Sequence, residues 1–138
     1  MAVYDVIIVG AGPAGIFCAL KLTKIKAKVL IIEKGLPLNK RFCPAKNDSG
    51  RCIQCPSCSV VCGWGGAGAY SDGKLTLSTA VGGNLADYIG EAALTKEIEE
   101  VDQEYLHFGA PEHIFGTEEN IINQIQKNRE NMKLSEKK

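Results

Sequence analysis

The sequence lacks an excess of either charge. Its 16 Lys and Arg are matched by 16 Asp and Glu, which argues against a nucleic-acid partner, since phosphate contacts need a positive surplus. It lacks any apolar run near the roughly 18 residues that span a bilayer, so no membrane partner is expected. No export signal is expected. The first apolar stretch is short, contains Asp5 and ends in glycines, which is not a secretory leader, and a cytoplasmic location is expected. No Ser/His/Asp or paired-carboxylate grouping suggests hydrolysis. The two histidines, His107 and His113, stand at no metal-ligand spacing to the cysteines and read as loop or helix-end residues. What remains is a globular composition, 45% hydrophobic and 23% charged over 138 residues, the size of one domain. Two features stand out against it: 15 glycines, and six cysteines of which five lie between Cys43 and Cys62.

Val6 to Val9 is a continuous β-branched run, the pattern of a strand buried on both faces of a parallel sheet. Glycines then force a turn. Ile16, Phe17, Ala19, Leu20, Leu22 and Ile25 recur at helical spacing, with Pro13 near the first turn, where a missing N–H does no harm. Cys18 reads as a small core residue of this helix. Val29 to Ile32 is a second buried strand, ending in Glu33. The chain is therefore read as α/β, opening with a β-α-β unit over residues 1–34 whose crossover is right-handed. Residues 35–83 form a long Cys/Gly-rich loop without periodicity, and loops of that length are usually functional or disordered. Residues 84–138 are helical. One helix, capped by Asn84 or Asp87, carries Leu85, Tyr88, Ile89, Ala92, Ile98, Val101 and Tyr105. Its acids Glu91, Glu97, Glu99, Glu100, Asp102 and Glu104 form a solvated face. Gly109-Ala110-Pro111 ends it, Thr117 caps a last helix, and the tail from Lys127 is expected to fray.

Gly10-x-Gly12-x-x-Gly15 follows the first strand and opens the first helix, and Glu33 comes 18 residues after Gly15. Each part has a physical task in dinucleotide binding. Gly10 permits the turn, Gly12 lets backbone approach a diphosphate, and Gly15 lets the helix pack against the strand. The helix N-terminus offers free N–H groups to the phosphates. Glu33 can accept from ribose hydroxyls and repels a 2′-phosphate. The turn into the second strand often uses Gly in such units, and here stands Ala27.

Asp5 to Gly15 together with Val29 to Lys34 resembles the N-terminal FAD-binding motif of two-domain flavoproteins. Cys52-x-x-Cys55-x-x-Cys58 leads into Gly65-Gly-Ala-Gly-Ala-Tyr-Ser-Asp-Gly-Lys-Leu75. Together these are similar to the start of a family of bacterial and archaeal FAD-dependent dehydrogenases, NAD(P)/FAD-dependent oxidoreductases with a cysteine-rich insert. The resemblance implies the N-terminal part of a Rossmann-like FAD/NAD(P)-binding fold. FAD is the cofactor it implies, with Gly10, Ala11, Gly12, Pro13, Ala14 and Gly15 at the diphosphate and Glu33 and Lys34 at the adenosine ribose. Gly65, Gly66, Ala67 and Gly68 would pass close to its phosphates or flavin. Such flavoproteins are several hundred residues long, so the chain is expected to be an N-terminal fragment, inactive alone, with the substrate bound elsewhere.

Cys52-x2-Cys55-x2-Cys58-x3-Cys62 has the spacing of a bacterial ferredoxin run. In two-cluster ferredoxins the fourth cysteine of that run serves the other cluster, so a lone cluster needs a remote ligand, and Cys43, followed by Pro44, is a candidate. The expected set is Cys43, Cys52, Cys55 and Cys58, with Cys62 as the alternative fourth ligand. An iron–sulfur cluster, structural zinc, a thiol–disulfide role and merely structural cysteines all remain open. Trp64 reads as a packing residue with flavin stacking as the alternative, and Lys74 as an exposed residue with phosphate contact as the alternative. Two functions follow: the FAD-binding region of an oxidoreductase, or a small metal-binding or NAD-binding module without redox activity.

Overall fold

The computed structural model describes residues 2–46 and 50–135. They form two compact units, one ending at Leu75 and one beginning at Thr76, and each is described by itself.

In the first unit, strands β1 (Val6–Val9) and β2 (Val29–Ile32) pair in parallel, with Val6 opposite Val29 and Val9 opposite Ile32. Helix α1 (Pro13–Lys24) is the crossover that parallel neighbours require. Backbone bonds extend the pairing past both ends of the ladder, from Gly10 N–H to the Ile32 carbonyl at 2.7 Å and from Asp5 N–H to the Lys28 carbonyl at 2.9 Å. The Asp5 carboxylate accepts the Lys28 N–H at 2.7 Å, which fixes where β2 starts.

The turn from α1 into β2 needs one left-handed residue, and Lys26 supplies it with φ 61°. Its N–H bonds the Thr23 carbonyl, and the Ala27 N–H bonds that of Leu22, the paired closure common at helix ends. A side chain in this conformation is strained where glycine is not. Lys26→Gly is therefore expected to raise stability by about 0.5–1 kcal/mol, read as a higher urea midpoint.

The sheet departs from the expected burial on both faces. Val6 and Ile8 are half-buried, whereas Ile7 and Val9 are 58% and 84% exposed. Successive strand residues point to opposite faces, and α1 covers only one of them. Cys18 is also exposed rather than a core residue, because among the described residues two strands underlie its helix.

From Gly35 to Leu75 the described residues form no strand and no α-helix, only single 3-10 turns at Leu38–Lys40, Pro44–Lys46 and Gly68–Tyr70. The buried centre of the unit lies where this segment meets the glycine turn. Ala11 is fully buried, Arg41 is 7% exposed, and Gly63 and Gly66 are buried beside them.

The second unit holds α2 (Ala86–Ile89), α3 (Glu91–His107) and α4 (Glu119–Ser135). The single helix expected from residue 84 is thus divided. Gly90, with φ 81° and ψ 152°, ends α2 and begins α3, and neither helix has a side-chain cap, so Asn84 and Asp87 do not serve as expected. Leu94, Ile98 and Val101 are half-buried, and so are Glu100, Asp102 and Glu104, while Glu91, Glu97 and Glu99 are exposed. The acidic face is therefore only partly solvated. Gly109, with φ 92°, closes α3 as expected. The Thr117 hydroxyl donates to the Ile114 carbonyl at 3.4 Å instead of capping α4. Helix α4 runs on to Ser135 past the expected fraying point at Lys127; its Gln, Lys, Arg and Glu residues are good helix formers. The end of that tail, residues 136–138, lies outside the described residues. Among the described residues no helix is long and apolar enough to cross a membrane.

Candidate dinucleotide site

The site is built on the turn between β1 and α1. Gly10 has φ 104°, which only glycine adopts without strain. A Cβ on Gly15 would collide with the Gly10 carbonyl oxygen and crowd Ile8 Cγ2 at 3.3 Å, so Gly15 sets how closely α1 approaches β1. A Cβ on Gly12 would meet nothing within 4 Å. Packing therefore gives no reason for glycine at residue 12, and its open side is where a ligand would approach. Gly12 is the N-cap of α1 with extended backbone, makes no side-chain cap bond, and is followed by Pro13 and the exposed Ala14. The first turn carries no acid. Its own N–H groups are thus met by no side-chain cap and no first-turn acid, which suits an anion.

Glu33 leaves β2 half-buried and turns its carboxylate back to this turn. Oε2 accepts the Ala11 N–H at 2.7 Å, and Oε1 accepts those of Gly35 at 2.8 Å and Gly63 at 3.0 Å. These bonds, the Ala11 one foremost, hold the carboxyl below the usual glutamate range. Half-burial opposes them, and the charge of the exposed Lys34 assists. A carboxylate has about four lone-pair positions, so one on Oε2 is left for a ribose hydroxyl.

The cysteine-bearing segment meets the same place. Gly65 N–H donates to the Ala11 carbonyl at 2.8 Å. Gly66 lies so close that a Cβ would stand 3.2 Å from Pro13 Cδ and 3.4 Å from Gly12 Cα. Gly65 and Gly66 have φ of 77° and 62°, and Ala67 and Gly68 lead into the turn at Gly68–Tyr70. Of the four small residues, the first two contact the glycine turn.

Arg41 organises this segment, and nothing in the sequence marks it. Its Nε donates to the Ser59 carbonyl at 2.8 Å, Nη1 to those of Trp64 at 3.2 Å and Gly66 at 2.8 Å, and Nη2 to that of Val60 at 2.8 Å. Its guanidinium carbon lies 4.9 Å from the centre of the Tyr70 ring. Trp64 is 45% exposed. Lys74 is exposed and pairs with Asp72 at 3.0 Å.

Cys43, Cys55, Cys58 and Cys62 are partly exposed, Cys52 is exposed, and all are free thiols. Among the described residues no three Cys, His, Asp or Glu side chains gather as a metal site, so the structure does not bring Cys43, Cys52, Cys55 and Cys58 together. One of them, Cys58, nevertheless has surroundings that favour thiolate. Bonds from the Val60 and Val61 N–H groups, with the Arg41 charge, lower the pKa of Cys58 against the effect of burial. The Cys52 sulfur accepts the Gln54 N–H at 3.4 Å.

A parallel β-α-β unit with an uncapped, glycine-led helix start and an acid at the exit of its second strand is a Rossmann-like unit. The chain belongs to the pyridine nucleotide-disulphide oxidoreductase family, which it matches over residues 4–134. It is also similar to an uncharacterized protein of Clostridium beijerinckii, 44% identical over 72 residues. That match covers 51% of this chain and 13% of the relative's length. No solved structure matches the chain.

Proposed function

We propose that this chain forms the FAD-binding part of a flavin-dependent oxidoreductase. The diphosphate lies on the N-terminus of α1 and the adenosine ribose on Glu33. The observation that carries the proposal is the Glu33 carboxylate, held 2.7 Å from the Ala11 N–H beside an uncapped helix start. It joins a ribose acceptor to a phosphate donor set in one rigid turn. The residues fit the cofactor: Gly12 is open on the ligand side, and Glu33 keeps one acceptor position. When bound, the flavin supplies the hydride or electron chemistry. The chain's own part is to bind and orient. Family membership supports a nucleotide-dependent oxidoreductase, and choosing FAD over NAD is part of this proposal. The test is titration of the chain with FAD and ADP. Flavin absorbance that survives gel filtration is the expected result, and binding of NAD but not FAD would overturn it.

A metal at Cys43, Cys52, Cys55 and Cys58 remains a proposal about donor chemistry. The N–H bonds that favour thiolate at Cys58 suit a ligand role. The described residues gather no such set. About one zinc, or about two to four irons with matching sulfide, per chain, lost in Cys52→Ser, is the expected result. A chain purified anaerobically with neither metal, and unresponsive to added zinc, would overturn it.

A further inference from the structure

We infer that Arg41 is a positioning residue for the dinucleotide site, holding residues 59–66 as a wall against the glycine turn without touching the ligand. This inference rests on the dinucleotide reading above. The guanidinium is almost wholly buried, yet the acceptors around it are backbone carbonyls, those of Ser59, Val60, Trp64 and Gly66. Burying a charge is costly unless its hydrogen bonds are met. Here they are met by a planar fork that reaches carbonyls on both limbs of one loop, which a lysine ammonium cannot do. The loop also wraps the side chain closely. A Cβ on Gly63 would stand 2.9 Å from Arg41 Cδ and 3.1 Å from Nε.

The segment so gathered touches the site at three points. Gly63 N–H reaches Glu33, Gly65 N–H reaches the Ala11 carbonyl, and Gly66 lies against Pro13 and Gly12. Apolar packing contributes little at this junction. Ala11 is the one fully buried apolar residue among those described, so the wall depends on the arginine's bonds. Two of the three touch points lie on the diphosphate side. Loss of Arg41 therefore weakens recognition of a diphosphate more than recognition of the nucleoside, because Glu33 keeps its bonds to Ala11 and Gly35.

The test uses the full chain with Arg41→Lys, which keeps the charge and loses the fork. ADP and adenosine affinities and backbone amide exchange are measured. The expected result is a loss of roughly tenfold or more in ADP affinity and less than about threefold in adenosine affinity. The Gly63 and Gly65 amides should exchange faster while that of Gly10, bonded to the Ile32 carbonyl, stays protected. Should Arg41→Lys fail to fold, Gly66→Ala displaces the wall with Arg41 intact and is expected to give the same selective loss. ADP affinity unchanged in the folded variants would overturn this inference alone. So would proportional loss of both ligands, the mark of a merely structural role. Wild-type chain that binds no ADP would overturn the dinucleotide reading and this inference together.

Discussion

Gly12→Ala is expected to weaken dinucleotide binding sharply while leaving the fold intact, and Gly15→Ala to do the reverse damage. At Gly12 the backbone is extended, with φ −74° and ψ 177°, so alanine meets no conformational penalty. Its Cβ would find nothing within 4 Å, so stability should change by less than about 0.5 kcal/mol. The same methyl group would stand where a diphosphate must approach the backbone, and affinity for ADP or FAD should fall roughly a hundredfold. At Gly15 the opposing effects can be weighed. Alanine inside a helix gains about 1 kcal/mol over glycine. Against this, its Cβ would strike the Gly10 carbonyl oxygen, a backbone atom that moves only with β1 and the turn. Overpacking of that kind costs about 1–3 kcal/mol or more, so the clash wins. The urea midpoint should drop in Gly15→Ala and hold in Gly12→Ala. If both variants lost stability alike and Gly12→Ala kept its affinity, residue 12 would be a packing glycine and the phosphate assignment would fail.

The elements legible in the sequence were those where one local signal decides the outcome. Val6 to Val9 and Val29 to Ile32 are short β-branched runs bounded by glycines or an acid, and both are strands with those limits. Pro13 and the apolar residues at helical spacing mark α1. Features set by non-local partners were not legible. The strand pattern alone does not reveal that one face of β1 stays uncovered, because an apolar run reads the same whether or not a second layer lies against it. Gly90 looks like a tolerable glycine inside a helical period, and only its φ of 81° divides α2 from α3. Arg41 is the clearest omission. Its partners are backbone carbonyls 18 to 25 residues away, and carbonyls carry no sequence signature. The same holds for Gly63: nothing in its neighbours announces that its N–H will bond Glu33, 30 residues earlier.

Glu33→Gln is expected to weaken both the fold and the site, although the two side chains have nearly the same shape. All three of its partners are N–H donors, with Gly35 and Gly63 on Oε1 and Ala11 on Oε2. An amide offers one oxygen. If it faces Gly35 and Gly63, its NH2 confronts the Ala11 N–H; if it faces Ala11, two donors are left opposite a donor. Either orientation opens the junction between the glycine turn and the cysteine-bearing segment. ADP affinity should fall roughly 10- to 100-fold, as for loss of charge-assisted bonds. The pH dependence follows from the direction of the carboxyl's shift. Its folded pKa lies below the ordinary glutamate value of about 4.3, because the Ala11, Gly35 and Gly63 N–H groups favour the charged form. The unfolded chain therefore binds the proton first as pH falls. The stabilisation is complete above the ordinary value and is lost progressively as pH drops through the lower folded one. Wild-type and Glu33→Gln urea midpoints should thus differ by a constant amount above about pH 5 and converge in acid below the glutamate range. A gap that stayed constant down to pH 3 would show that the carboxylate's charge is not what holds the three N–H groups together.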